Sequence, residues 1–129
     1  MRKSIPVRRS ATSSDDRSYC PDAGDLIWID FHPQKGREQA GRRPAIVLSP
    51  RRYNDRAALC VVCPITSQVK NYPFEVALPE GGPISGGAVL ADQVKSLSWE
   101  TRNSAFAARA PASIVGEVKA KITALLQID

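Results

Sequence analysis

The sequence has no apolar run close to the roughly 18 residues that a membrane-spanning helix needs, so we expect no transmembrane helix. The N-terminus also lacks the apolar core of a signal peptide, because its basic start is followed by serines and by Asp15 and Asp16. These two absences predict a protein of the cytoplasm with no membrane partner.

Histidine and cysteine are scarce. There is one histidine, His32, and there are three cysteines, an odd number that predicts no disulfide framework without a secretion signal. A zinc site needs four ligands, and these residues do not supply a set with metal-ligand spacing. Cys60 and Cys63 lie within an apolar strand pattern, so we predict two buried structural thiols. No metal site is expected.

Several catalytic signatures are missing as well. The chain has no GxGxxG, Walker or GxSxG sequence, so we expect no nucleotide cofactor and no serine hydrolase elbow. Asp25, Asp30, Glu38 and Asp92 show no metal-ligand spacing, and a single histidine excludes an acid–base pair of histidines. What remains is metal-free chemistry on a phosphate, with arginine as an electrostatic clamp, because the guanidinium group grips phosphate oxygens in a fork.

The 129 residues are enough for one domain. Residues 1–20 are polar, rich in serine and arginine and without periodicity, so we predict a disordered extension before a domain at 21–129. The extension carries +3 of the formal net charge of +5. Within the domain, residues 37–56 carry a local excess of +4, mostly from arginines. This cluster indicates an acidic partner such as nucleic acid, although a solvated charged face is the ordinary alternative.

Short apolar segments separated by proline, glycine and polar turns dominate the domain. Pro50–Asp55 is predicted as a turn, and an amphipathic helix starts at Pro111, with Val115, Val118, Ile122 and Leu125 at helical spacing. Many short strands and one late helix predict a mainly β fold, a small antiparallel barrel with a C-terminal α-helix. The predicted strands are Asp25–Phe31, Pro44–Ser49, Ala58–Cys63, Phe74–Leu78, Gly87–Asp92, Val94–Trp99 and Asn103–Arg109.

The stretch from Gly24 to Pro50 places an unusually charged loop between two apolar strands. Its sequence is GDLIWIDFHPQKGREQAGRRPAIVLSP. So much charge exceeds what a connection needs, and it predicts an anion-binding site. From the residues alone, Arg43 could equally be a structural arginine that anchors the loop.

That stretch, followed by CPITSQVKNYPFEVAL and then GGAVLADQVKSLSW, resembles the MazF/PemK family of toxin endoribonucleases. The likeness runs from about Pro21 to the C-terminal helix. It implies a small SH3-like barrel that forms a homodimer and cleaves single-stranded RNA at a short sequence without a metal. The ribose 2′-hydroxyl attacks, which leaves a 2′,3′-cyclic phosphate and a 5′-hydroxyl.

The resemblance also implies the site residues. The family's functional arginine falls on Arg43, which we expect to be a phosphate clamp and a potential proton donor. The family's functional threonine falls on Thr66, which we expect to hold the scissile phosphate. Glu38 is either the general base or a residue that orients an arginine. The expected substrate-binding residues are Phe31, Lys35, Gln39, Arg42, Ser67, Gln68, Lys70, Tyr72 and Gln93, with Phe31 and Tyr72 as residues that could stack on bases.

The resemblance further implies a cognate antitoxin whose acidic, flexible tail covers the RNA groove. Two alternatives stay open at this point. The same fold resembles toxins that poison DNA gyrase by protein contact, and a catalytically dead barrel would bind RNA with a steep salt dependence and never cut it.

Overall fold

The computed structural model describes residues 19–31, 41–82, 84 and 86–128. Residues 1–18 of the predicted extension, which spans residues 1–20, lie outside this part of the chain. Tyr19 and Cys20, which we had counted with the extension, pack against the domain, and Cys20 is 7% exposed. The elements in chain order are β1 (Asp25–Phe31), β2 (Gly41–Val47), α1 (Arg51–Ala57), β3 (Cys60–Thr66), β4 (Glu75–Ala77), β5 (Ala88–Leu90), β6 (Lys95–Leu97), β7 (Ala105–Arg109) and α2 (Ala112–Leu126).

The strands form one antiparallel sheet, which confirms the mainly β fold with a C-terminal helix. Within the described residues the sheet has seven strands in the order β4-β5-β3-β2-β1-β7, and β6 pairs with β3 beside this path. The described strands leave β4 and β7 at opposite ends, so they make a curved sheet of SH3-like type rather than a closed barrel. Strand β3 is the hub, because it pairs with β2, β5 and β6.

Each face of the sheet buries its own core, as the alternation of side chains along a strand requires. The first core contains Cys20, Ile27, Ile29, Phe31, Ala45, Val47, Cys60, Val62, Leu97 and Trp99. The second core contains Leu26, Ile46, Cys63, Ile65, Val76, Leu78, Val89, Ala91 and Val118. Helix α2 covers the second core through Val118, with Ile114, Val115 and Ile122 packed around it. The predicted apolar stripe of α2 therefore packs as expected until Leu125, which is 41% exposed.

Several predicted strand ends differ from the structure by one or two residues, and three predictions differ by more or in the type of element. Strand β2 begins at Gly41 rather than Pro44, so Arg42 and Arg43 lie in the strand and not in the loop. The predicted turn after Pro50 is helix α1, with Pro50 as its extended N-cap. Strand β3 continues through Pro64 to Thr66.

Proline is tolerated inside β3 because of where the strand changes neighbours. On the edge of β3 away from β2, residues 60–62 pair with β6 and residues 65–66 pair with β5. Pro64 lies in the gap between these two ladders, so its missing N–H falls between them. This arrangement lets β3 run on to Thr66.

The cysteines behave as predicted for buried thiols. Cys60 and Cys63 are fully buried in the first and the second core, respectively. Burial raises the pKa of both thiols to about 12. In the described part of the chain, no helix is long and apolar enough to cross a membrane.

Candidate nucleic-acid interface

Arg43 and Thr66 lie on the neighbouring strands β2 and β3. Strands β2 and β3 are antiparallel, and Ala45 pairs with Pro64. Arg43 precedes Ala45 by two residues, and Thr66 follows Pro64 by two residues. In an antiparallel pair both steps run the same way along the sheet, so Arg43 and Thr66 both lie just beyond the last β2–β3 pair, Ala45 with Pro64. Because side chains alternate, both lie on the face of Ala45.

Strand β1 supports Arg43 from the other side. Ile29 of β1 is the residue that pairs with Arg43, and Ile29 is fully buried in the first core. Arg43 itself is half-buried. A half-buried guanidinium between two strands has fewer arrangements than one on a free loop, which favours a fixed anion-binding geometry.

Arg42 lies on the opposite face and has a different environment. Its Nη1 donates to Asp30 Oδ1 at 3.0 Å, and Asn103 Nδ2 donates to Asp30 Oδ2 at 2.9 Å. The hydrogen bonds from Asn103 and Arg42 lower the pKa of Asp30. Arg42 also lines a cleft of about 210 Å³ together with Trp99 and Asn103. Arg42 and Arg43 therefore leave β2 on opposite faces, and the Arg42 guanidinium is held by Asp30.

The Thr66 side chain is buried, with 7% exposure, and its geometry is set locally. Its Oγ1 accepts a hydrogen bond from the backbone N–H of Gln68 at 3.0 Å. Among the described residues, the Thr66 hydroxyl donates to no acceptor. A hydroxyl group that accepts one hydrogen bond keeps its own hydrogen as a donor.

The loop that follows Thr66 presents the other predicted contacts to solvent. Ser67, Gln68 and Lys70 are exposed, and Tyr72 is 47% exposed. The Tyr72 hydroxyl donates to Asp92 Oδ2 at 2.8 Å, and this bond is the main reason that the pKa of Tyr72 is raised. The bond holds the Tyr72 ring over the β5–β6 turn.

Gln93 lies in that same turn beside Asp92. The side-chain Oε1 of Gln93 and the Oδ1 of Asp92 are both buried, and within the described residues neither has a hydrogen-bond partner. A buried acceptor without a donor is costly, so such atoms commonly serve a ligand or an ordered water. The geometry therefore agrees with a binding role for Gln93.

Phe31 is not placed to stack on a base. Phe31 is 3% exposed and belongs to the first core, so packing explains why an aromatic residue stands at this position. The Lys95 ammonium group lies 5.6 Å from the ring centroid, at a cation–π distance. Lys95 pairs with Val62, so this basic residue, which the sequence motifs did not lead us to predict, lies on the face of Arg43. The sequence signal that could have identified Lys95 is its position in the DQVKSL segment.

Three predicted site residues, Lys35, Glu38 and Gln39, lie outside the described residues, so their roles stay predictions. Within the part that is described, no group of three or more His, Cys, Asp or Glu side chains is arranged to hold a metal ion. The described part of the candidate site thus comprises Arg43, Thr66 and Lys95 with the loop at residues 67–72 and the β5–β6 turn.

Comparison with known proteins decides the family. A family model described as PemK-like, MazF-like toxin of type II toxin-antitoxin system matches residues 22–126. The chain belongs to this family. The PemK/MazF assignment confirms the resemblance inferred from the three sequence motifs.

Individual relatives agree with the family model. The chain is 49% identical over 108 residues to the endoribonuclease toxin MazF of Escherichia coli K12, a match that covers 84% of this chain and 96% of the relative. It is 29% identical over 106 residues to the endoribonuclease PemK of Escherichia coli, with 80% of each chain covered.

Solved structures of PemK/MazF-family proteins share the fold. The crystal structure of MazF from Deinococcus radiodurans matches with a TM-score of 0.81 and 51% identity, covering 85% of this chain and 99% of that one. A MazE–MazF crystal structure from the same organism matches with a TM-score of 0.78 and 50% identity, covering 86% and 99%.

Proposed function

We propose that the protein is a toxin endoribonuclease that cleaves single-stranded RNA at a short sequence without a metal. The attacking group is the ribose 2′-hydroxyl, and the products carry a 2′,3′-cyclic phosphate and a 5′-hydroxyl. Cleavage of messenger RNA would inhibit translation and growth. The proposal rests on the family, on relatives named as endoribonucleases, and on the geometry of the site.

The observation that carries the proposal is that Arg43 and Thr66 lie just beyond the same Ala45–Pro64 pair, on adjacent strands. Attack of the 2′-oxygen increases the negative charge on the non-bridging phosphate oxygens, and fixed donors aimed at that charge are the main source of rate enhancement. The guanidinium of Arg43 supplies a permanent positive charge and paired N–H donors. The Thr66 hydroxyl supplies a further donor from the neighbouring strand.

Proton transfer is the less defined part of the reaction. An arginine is a poor general base because it stays protonated, so Arg43 acts as clamp and potential proton donor to the leaving 5′-oxygen. Glu38 serves either as the base that takes the 2′-proton or as a residue that orients an arginine. A Glu38→Gln variant separates these roles: loss of the acidic limb of the pH–rate profile indicates a base, and an unchanged profile with lower kcat indicates an orienting role.

The RNA strand is held by polar and basic side chains around this pair. Lys70, with Lys95 added by the structure, provides positive charge, and Tyr72 offers an exposed ring for base stacking. Gln93 offers an unpartnered buried acceptor. The remaining proposed contacts are Lys35, Gln39, Arg42, Ser67 and Gln68.

Two kinds of protein partner belong to the proposal. The first is a second copy of the chain in a homodimer. The second is an antitoxin with an acidic, flexible tail that competes with RNA for the basic face. The MazE–MazF complexes of Deinococcus radiodurans are the support for an antitoxin, and the local charge excess at residues 37–56 is the support for an acidic tail.

A cleavage assay in EDTA tests the function. The wild-type protein is expected to cut RNA into fragments with 5′-hydroxyl ends, and a substrate with a 2′-deoxyribose at the cut position should stay intact. Arg43→Ala and Thr66→Ala should each lower kcat at least about a hundred-fold, as removal of a transition-state donor does. Lys119→Ala, which removes an exposed cation of α2 outside the basic cluster at residues 37–56, is the control and should cut normally.

Three results would contradict the proposal. They are intact RNA with the wild-type protein, cleavage that depends on a metal, or full activity of Arg43→Ala. Intact RNA together with inhibition of DNA gyrase would favour the gyrase-poison alternative. RNA binding with a steep salt dependence and no cleavage would favour the inactive barrel.

A further inference from the structure

Glu75 holds together the loop at residues 67–72, which follows Thr66. Its Oε1 accepts hydrogen bonds from the backbone N–H groups of Lys70 at 3.1 Å, Asn71 at 2.9 Å and Tyr72 at 3.4 Å. Its Oε2 lies 3.2 Å from the Lys70 nitrogen. Three successive amides thus converge on one carboxylate group.

Convergent backbone amides form an anion-binding concavity, and here the protein supplies the anion itself. Hydrogen bonds to an ionised acceptor are stronger than neutral ones, so the carboxylate favours one conformation of the loop. That conformation includes Asn71 at a φ of +58°, a left-handed geometry that needs compensation in a residue other than glycine. Asparagine is among the residues that adopt it most readily.

The anion is anchored to the sheet. Glu75 is the first residue of β4 and pairs with Leu90 of β5, and its own N–H donates to the Tyr72 carbonyl oxygen at 2.9 Å. At its other end the loop is tied by the bond from the Gln68 amide to the Thr66 hydroxyl. The loop is therefore held at its start by Thr66 and at its end by Glu75.

We propose that Glu75 is the positioning residue of the RNA-binding loop. It acts through the amides of residues 70–72 and fixes where Lys70 and Tyr72 meet the RNA strand, without touching the substrate itself. This inference rests on the proposed function, because the loop matters for catalysis only if the protein cuts RNA. It adds an acidic residue to a site whose other assigned residues in the described chain are basic, polar or aromatic.

The sign of the effect separates positioning from simple electrostatics. Neutralising a carboxylate near an RNA groove removes a repulsion, so electrostatics alone predicts tighter RNA binding by Glu75→Gln. Positioning predicts the opposite, because a neutral amide accepts hydrogen bonds more weakly and its NH₂ group does not accept from the loop amides. The two explanations therefore predict changes in opposite directions.

The test compares Glu75→Gln and Glu75→Ala with the control Glu117→Gln, an exposed glutamate of α2 that makes the same change in charge. Initial rates on an RNA oligonucleotide carrying the mapped cleavage site give kcat and KM. We expect both Glu75 variants to lower kcat/KM about ten-fold or more, mainly through KM, which corresponds to about one charge-assisted hydrogen bond. The control should stay within about two-fold, since isolated surface substitutions are usually near neutral.

A double-mutant cycle with Lys70→Ala separates positioning from a purely structural role, because a structural role predicts additive losses of activity. If Glu75 positions Lys70, then Lys70→Ala should cost much less activity in the Glu75→Ala background than in the wild-type background. Hydrogen exchange of the amides of residues 70–72 should also be faster in Glu75→Gln, with the thermal unfolding midpoint measured beside it. This measurement applies even if Glu75→Ala folds poorly.

The outcomes are distinguishable. Wild-type protein that leaves RNA intact would overturn the proposed function and this inference together. Wild-type protein that cuts, with Glu75→Gln equally active or with additive effects of Glu75 and Lys70, would overturn the inference alone. Slower cutting, faster amide exchange and non-additivity together would establish it.

Discussion

Gly87 lies so close to Thr66 that a Cβ atom on Gly87 would stand 2.7 Å from the Thr66 carbonyl oxygen. The same atom would stand 3.2 Å from Ile65 Cγ2. The Gly87 carbonyl oxygen meanwhile accepts a hydrogen bond from the Leu78 N–H at 2.9 Å. The backbone at the start of β5 is therefore pressed against the end of β3, where the proposed catalytic threonine lies.

Gly87→Ala should consequently damage both stability and activity. The new methyl group meets backbone rather than a flexible side chain, so the Thr66 backbone has to shift. We expect a loss of about 1–3 kcal/mol in the free energy of unfolding, the usual range for overpacking. RNA cleavage should fall as well, because a displacement of about 1 Å at a positioned group is enough to cost rate. Urea unfolding and the cleavage assay measure the two effects.

Gly116→Ala is the matched control for this substitution. Gly116 lies inside α2, and a Cβ atom there would meet no atom within 4 Å. The change should raise the free energy of unfolding by about 0.5–1 kcal/mol, because alanine is the better helix former. Activity should not change. Equal effects of the two glycine substitutions would contradict the close packing of Gly87 on Thr66.

The hydrogen bonds of Asn54 predict that its substitution also lowers stability strongly. This fully buried residue donates through Nδ2 to the carbonyl oxygens of Pro21 at 2.8 Å and Ser49 at 2.9 Å, and accepts from Ser49 Oγ at 2.6 Å. Asn54→Ala leaves three buried groups without this partner, so at about 1–3 kcal/mol for each group it should cost at least about 3 kcal/mol in the free energy of unfolding. Denaturant unfolding measures the loss.

The neighbouring Arg52 supplies the comparison, since it is exposed on the same helix. Arg52→Ala should change the free energy of unfolding by no more than about 0.5 kcal/mol. A loss from Asn54→Ala no larger than that from Arg52→Ala would show that the buried hydrogen bonds contribute little.

The contacts of Asn54 also explain why helix α1 was not predicted from the sequence. The residues after Pro50 are polar, and asparagine and aspartate near a proline are typical of turns. A helix of seven residues has little intrinsic stability, so tertiary contacts have to hold it. Those contacts, which run from Asn54 to Pro21 and from Trp99 Nε1 to the Asn54 carbonyl oxygen at 2.9 Å, join segments far apart in the chain. No local pattern reveals them.

Strand β1 was predicted to the residue because its apolar segment ends at clear turn signals. Strand β2 starts earlier than its apolar run because pairing with β1 carries Arg42 and Arg43 into the ladder. Arg43 and Thr66 were accessible from the family motifs, which preserve the order of the two segments. Their matching register depends on the antiparallel pairing of β2 with β3, which a sequence pattern does not state.

The positions of two other residues, Phe31 and Glu75, could be learned only from the structure. Phe31 was predicted as a residue that could either stack on bases or pack in the interior, and alternation along β1 turns it into the first core. Glu75 carried no sequence signal, because its partners are backbone amides. Contacts that a side chain makes with the backbone are invisible in a list of residue types.

The buried cysteines predict slow thiol chemistry. Only the thiolate reacts with alkylating agents, and burial raises the pKa of Cys60 and Cys63 to about 12. At pH 8 we expect iodoacetamide to leave both residues unmodified in the folded protein, and to modify all three cysteines in denaturant. Mass spectrometry of the labelled peptides measures this. Rapid labelling of either residue in the native state would contradict the described burial.

The hydrogen bonds of Asp30 predict how the free energy of unfolding changes at acid pH. Hydrogen bonds from Asn103 and Arg42 favour its ionised form and lower its pKa, which is ordinarily about 3.9. A carboxyl group whose pKa is lower in the folded state stabilises the fold above the unfolded-state pKa. That contribution disappears as the pH falls through the folded-state value. The free energy of unfolding of Asp30→Asn should therefore depend less steeply on pH below about pH 4 than that of the wild type.

An NMR titration of the Asp30 carboxyl group tests the same point directly. In the wild type its midpoint should lie below the ordinary aspartate value, and Asn103→Ala and Arg42→Ala should each move it upward by removing one donor. Arg52→Ala, which removes an equal charge from α1, should leave the midpoint where it was. A wild-type midpoint at the ordinary value, or one that responds as much to Arg52 as to Arg42, would mean that the Asp30 hydrogen bonds do not persist in solution.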